Sequence, residues 1–135
     1  MLLFGPGLSA GGEAGIGGFG GGLDLFGKHE STLNRCVFEG NSARGEYGSG
    51  GGLRIAGITS GTTVNDCVFE ANSSDYAGGG VVCWGSDCVA VLNRCVLLEN
   101  SSVLGGGGVA LVEGAGAVIN DCELRGNTLL LDFNA

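Results

Sequence analysis

Proline, histidine, tryptophan and methionine each occur once in this chain of 135 residues, and only 15 % of its side chains are charged. One proline and no strict glycine every third residue exclude a collagen helix. Basic residues are scarce, six against fourteen acidic ones, for a net charge of −8. No basic cluster relieves that balance, so nucleic acid and acidic membrane surfaces are not expected partners. No apolar run approaches the ~18 residues of a membrane-crossing helix. A 3.6-residue hydrophobic period is sustained nowhere. The start, MLLFGPGLSAGG, lacks the positive opening of a signal peptide, and Gly5, Pro6 and Gly7 break its apolar run.

What is abundant is glycine, thirty residues, about three times the usual ~7 % share. Hydrophobic residues make up 44 %, which argues against disorder, since disordered chains are poor in apolar side chains. Glycine must then serve an ordered repeat at fixed positions.

The repeat is plain to read. LNRCVFEGNSA, VNDCVFEANSS, LNRCVLLENSS and INDCELRGNTL align on Cys36, Cys67, Cys95 and Cys122. Asn34, Asn65, Asn93 and Asn120 stand two residues before these cysteines, and Asn41, Asn72, Asn100 and Asn127 five after. A second block keeps step: GGGLDL from Gly20, GGGLRI from Gly50, GGGVVC from Gly78 and GGGVAL from Gly106. Alternation of apolar and polar residues within both blocks reads as strands. The expected fold is all-β, a right-handed single-stranded parallel β-helix (solenoid) of about four rungs of 27–31 residues, with three short strands per rung. The cysteines, the residues Phe38, Phe69, Leu97 and Leu124, and the aliphatic pairs should face inward. The asparagines are expected at tight bends, in left-handed backbone and stacked as amide ladders. Residues 1–19 are expected to be a glycine-rich segment or degenerate rung, 20–128 the repeat domain, and 129–135 the start of a further rung or a tail.

The blocks GGGL or GGGV paired with FEGN and FEAN resemble the GGA[ILV] and FxxN repeats of polymorphic outer membrane proteins. More broadly they resemble the β-helix repeats of pectate-lyase-like proteins. Glycine stands here where alanine closes the first motif, and Leu97 and Leu124 stand where phenylalanine would. The resemblance implies an extracellular or cell-surface setting.

Candidate sites are few. The cysteine spacing of 27–31 does not fit a zinc knuckle, so an inward ladder of thiols is expected, with no metal or cofactor. Cys83 and Cys88 occur in one rung only. They are read as an inward residue and a loop residue, and a disulfide between them is one of two open states. His29, in the loop Gly27–Ser31, reads as solvated surface. Arg35, Asp66, Arg94 and Asp121 alternate in sign down one column, which suggests cross-rung pairing. GGGLDLF is a poor match to a calcium nonapeptide and occurs once. Asn72 and Asn100 open formal glycosylation sequons but belong to the repeat. Tyr47, Tyr76 and Trp84 hold matching positions and form a candidate binding strip for protein or carbohydrate.

The function expected on these grounds is a non-enzymatic repeat segment of a secreted or surface protein. It would serve adhesion or display through the loops Ala43–Ser49, Ala56–Thr62, Trp84–Val89 and Val112–Ala117. The alternative is a fragment of a carbohydrate-active β-helix. Stacking on further rungs of a longer chain, and self-association of the isolated chain through open strand edges, are also expected.

Overall fold

A computed structural model describes residues 2–4, 20–26, 29–57 and 60–130. Strand β1 (Leu2–Phe4) precedes four rungs of four strands each. The first rung holds β2 (Leu23–Phe26), β3 (His29–Asn34), β4 (Cys36–Glu39) and β5 (Ser42–Ala43). The second holds β6 (Leu53–Ala56), β7 (Ser60–Asn65), β8 (Val68–Glu70) and β9 (Ser73–Ser74). The third holds β10 (Val81–Trp84), β11 (Cys88–Asn93), β12 (Val96–Leu98) and β13 (Ser101–Ser102). The fourth holds β14 (Val109–Val112), β15 (Gly116–Asn120), β16 (Glu123–Arg125) and β17 (Thr128–Leu129).

Every strand pairs in parallel with its counterpart one rung away, which makes four sheets, ordered β2-β6-β10-β14, β3-β7-β11-β15, β1-β4-β8-β12-β16 and β5-β9-β13-β17. The chain is a parallel β-solenoid of about four turns. Each rung has four strands rather than three, because the two serine-rich residues after the second asparagine extend and pair as well.

The sequence repeat fixes the register. Phe38 pairs with Phe69, Phe69 with Leu97 and Leu97 with Leu124. The two phenyl rings stack with centroids 4.6 Å apart and planes 3° off parallel. Around them Leu53, Ile55, Val64, Leu92, Cys67 and Cys95 are fully enclosed. Each large apolar side chain buried there contributes roughly 1.5–3 kcal/mol.

Left-handed backbone falls beside the asparagines, not on them. Arg35, Asp66, Arg94 and Asp121, just after the first asparagine, have φ of 53–54°. Gly40, Ala71, Glu99 and Gly126, just before the second, have φ of 53–66°. The bends therefore place strain on the neighbours and leave the asparagine side chains in position to bond across rungs. The glycine triplet serves two purposes. Gly50 takes φ 71° where the chain turns into β6. A Cβ on Gly51 would strike the carbonyl of Ser73, and one on Gly52 would lie 2.7 Å from the Gly80 oxygen. The third position thus has no room for the alanine of the GGA[ILV] motif unless the next rung shifts.

Strand β6 departs from simple alternation. Leu53 and Ile55 enter the core, yet Arg54 and Ala56 on the opposite face are also buried, as is Val82 of β10. On that outer face the Arg54 guanidinium is paired with Asp24 of β2 at 2.9 Å and lies 5.4 Å from the Phe26 ring centre.

Candidate functional site

The connection between β5 and β6 is three residues longer than those that follow β9 and β13. It is tied to the next rung by the Arg44 guanidinium, 3.2 Å from Asp75, and by the Gly45 N–H, which donates to the Asp75 carboxylate at 2.9 Å. This anchors Tyr47 next to Tyr76 of the following rung. The Tyr47 and Tyr76 centroids are 5.7 Å apart, with the rings edge to face. The Tyr76 and Trp84 centroids are also 5.7 Å apart, with planes 22° from parallel. The three residues come from two connections and one strand, and form one row on the outer face of the β2-β6-β10-β14 sheet.

The row ends at a groove. In the fourth rung Val112 pairs with Trp84, and the bridge between Ala77 and Gly105 sets Leu104 beside Tyr76. These smaller side chains leave a groove of about 490 Å³ along Tyr76, Leu104, Ala110 and Val112. At the row's other end Phe26 is 72 % exposed, with the Arg54 guanidinium 5.4 Å from its ring centre. Tyr47 is 48 % exposed. An apolar, ring-lined surface with a few phenol and indole donors suits flat amphipathic ligands, such as a sugar ring or an aromatic side chain.

The remaining candidates take structural places. Cys36, Cys67 and Cys95 are buried and Cys122 is half-buried; none is in a disulfide. Their thiols donate to backbone carbonyls, Cys67 to Asn65 at 3.3 Å and Cys95 to Val64 at 3.3 Å. A hydrogen bond to the Cys95 thiol and burial push the Cys67 thiol well above its ordinary range, so it is not poised as a nucleophile. Among the described residues no group of three or more His, Cys, Asp or Glu side chains is placed to hold a metal ion.

Cys83 and Cys88 are joined by a disulfide with Cα atoms 6.2 Å apart. Cys88 does not lie in a loop. It opens β11 and is fully buried, so the bond clips two strands across the corner Gly85–Asp87. His29 likewise opens a strand, β3, rather than sitting in a loop. Asp24, in the calcium-like stretch, is held by Arg54 at 2.9 and 3.1 Å. Of the alternating column, Arg94 and Asp66 form a two-pronged pair at 2.8 and 3.1 Å. That pair holds the Asp66 carboxyl below its ordinary value.

Asn72 and Asn100 have no exposed surface and bond to neighbouring rungs through both ends of their amides, which leaves no access for a glycan in the folded chain. A polar depression of about 460 Å³ lies over β3 and β7, where Glu30 is the one acid among the described residues of its lining. Sequence reasoning found the three aromatic residues but not the groove, which depends on the smaller residues Leu104 and Val112 following larger ones in register.

Comparison of the chain with protein-family models, curated proteins and solved structures finds no match.

Proposed function

We propose that this chain is a non-enzymatic β-helix scaffold that serves adhesion or display in a secreted or cell-surface protein. Its binding site is the outer row Tyr47–Tyr76–Trp84. The observation that carries this reading is that three rings from three separate segments are brought into contact on the surface, beside a groove of about 490 Å³. The Cys83–Cys88 disulfide supports an oxidising setting. The repeat's likeness to polymorphic outer membrane proteins supports a surface location. A carbohydrate-active β-helix is the weaker reading, because two-carboxylate hydrolysis needs paired acids and, among the described residues, Glu30 is the sole acid lining the polar depression.

Trp84 is the only tryptophan, so its fluorescence reports on the site directly. Titration with a neutral β-glucan, with polygalacturonate and with a mucin-type glycoprotein should shift or quench its emission for at least one of them. Polygalacturonate should bind more weakly than the neutral glucan, because the protein carries a charge of −8. Tyr47→Ala should reduce binding about tenfold, consistent with loss of an aromatic contact of 1–1.5 kcal/mol. Binding that leaves Trp84 emission unchanged and survives Tyr47→Ala would place the site elsewhere.

A further inference from the structure

The outer face of the β3-β7-β11-β15 sheet carries a glycine that neither backbone nor packing requires. Alternation in β11 buries Cys88, Ala90 and Leu92 and turns Val89, Val91 and Asn93 outward. In register with them, Glu30, Gly61 and Val89 form one outward column, and Thr32, Thr63 and Val91 the next. Gly61 thus stands inside a strand, where glycine is disfavoured. The triplet glycines have a reason to be glycine: Gly50 takes a positive φ, and a Cβ on Gly51 would strike a neighbouring carbonyl. Gly61 has neither reason. Its φ is not positive, and a Cβ there would meet no described atom within 4 Å. Glycine in such a place leaves the backbone open to close approach by a ligand.

What the missing side chain opens is the polar depression of about 460 Å³, with Gly61 in its floor and Glu30, Thr32 and Thr63 around it. Neighbouring strands are ~4.8 Å apart, so Glu30 and Val89, on either side of Gly61, are separated by roughly 9.6 Å. That gap admits a single flat ring. No basic side chain lies among the described residues of the lining, and the chain's charge of −8 draws cations. The Glu30 carboxylate accepts from an ammonium, while the Thr32 and Thr63 hydroxyls both donate and accept, as sugar hydroxyls do. Glu30 and Thr32 are two residues apart on one strand, roughly 6.6 Å. That is comparable to the span from an amine to a hydroxyl across one pyranose ring.

We propose that this depression binds an amino sugar with a free amine, a cationic hexosamine unit. Its ammonium sits on Glu30, its hydroxyls meet Thr32 and Thr63, and its ring lies against the bare backbone of Gly61. The site is on a different sheet from the aromatic row and does not depend on it.

Amide resonances of the isotope-labelled full chain, titrated with glucosamine at constant ionic strength, test it. Saturable shifts are expected at Gly61, Thr32 and Thr63. Neutral N-acetylglucosamine should bind at least about tenfold more weakly, and Glu30→Gln should cost glucosamine a similar factor. Gly61→Val fills the floor with a strand-favouring side chain. It should raise the urea midpoint yet abolish the shifts at Thr32 and Thr63, a loss of binding without a loss of folding. Four outcomes would overturn the proposal: no saturable shift at Gly61, equal affinity for the acetylated sugar, unchanged binding by Glu30→Gln or Gly61→Val, or equally tight binding of acetyl-lysine amide with a free side-chain amine. The last would assign the site to a lysine side chain.

Discussion

Two columns of asparagine run down this molecule, and the same repeat supplies both. Asn41, Asn72, Asn100 and Asn127 form the inner one, in which Asn72 and Asn100 have no exposed surface. Each inner amide donates to the next rung's Oδ1, at 3.2, 2.9 and 2.9 Å. Its Nδ2 or the backbone N–H just behind it is bonded as well: Asn72 Nδ2 reaches the Phe38 carbonyl at 2.9 Å, and the Asn72 N–H reaches Asn100 Oδ1 at 3.0 Å. The outer column, Asn34, Asn65, Asn93 and Asn120, makes one amide bond per step, at 2.8–2.9 Å, and each step runs the opposite way, from the later rung to the earlier. The inner polarity is fixed, since a carbonyl such as that of Phe38 only accepts. A residue chosen for hydrogen bonding is thus used twice, once as a buried polar spine and once as a surface trim. Only the first has no water to replace it.

The largest effect should come from removing one member of the spine. Asn72→Ala removes one buried hydrogen-bond partner each from the Asn41 N–H, the Asn41 amide, the Phe38 carbonyl and Asn100. A loss of roughly 3–5 kcal/mol is expected in urea unfolding. Asn65→Ala in the same rung should cost less than about 1 kcal/mol, because water reaches its partners. Equal costs for the two would mean that the columns are energetically alike.

A smaller, opposite effect is expected where the spine's bends are strained. Ala71 precedes Asn72 at φ 55°, a region in which an L-residue with a Cβ is disfavoured. Ala71→Gly should stabilise by about 0.5–1 kcal/mol, against the usual penalty for glycine, and a higher urea midpoint would show it.

The smallest effect belongs to the outer column's charged bends. Asp66 is held below its ordinary value of 3.8, first by its hydrogen bond to Arg94. A depressed carboxyl adds stability above its unfolded value and loses it as the pH falls through the folded one. The pair's contribution should therefore be intact at neutral pH and fade below pH 3.8, and Asp66→Asn should remove that part of the acid dependence. Since both side chains are exposed, the change in midpoint should be slight and should shrink with added salt.

Much of the fold was legible because a rung is a local pattern repeated in step. The cysteines, Phe38, Phe69 and the aliphatic pairs announce an inward face by alternation alone, and equal spacing announces the register. The fourth strand of each rung was hidden because two residues, Ser-Ala, Ser-Ser, Ser-Ser and Thr-Leu in turn, are too short to show an alternation. Burial of Arg54 was hidden because its ion pair with Asp24 and its contact with the Phe26 ring come from the neighbouring rung, and alternation within β6 assigns Arg54 to the outer face. The aromatic row was visible as three matching positions, but its contacts and groove were not.

The sequence by itself determined the period, the inward columns and the stacking of like on like, since these follow from side-chain type and the two-residue alternation of a strand. Only the tertiary structure decided which asparagine column is enclosed. Both have the same residue, the same spacing and the same partners in sequence. What separates them is whether the corner beside them turns the amide toward the axis or away from it. The outer asparagine precedes its left-handed neighbour and the inner one follows it, while φ itself is the same, near 53–55°, at Arg35, Ala71 and Glu99. The strain at those residues is sustained by the bonds and packing of the rungs above and below, which no single rung contains.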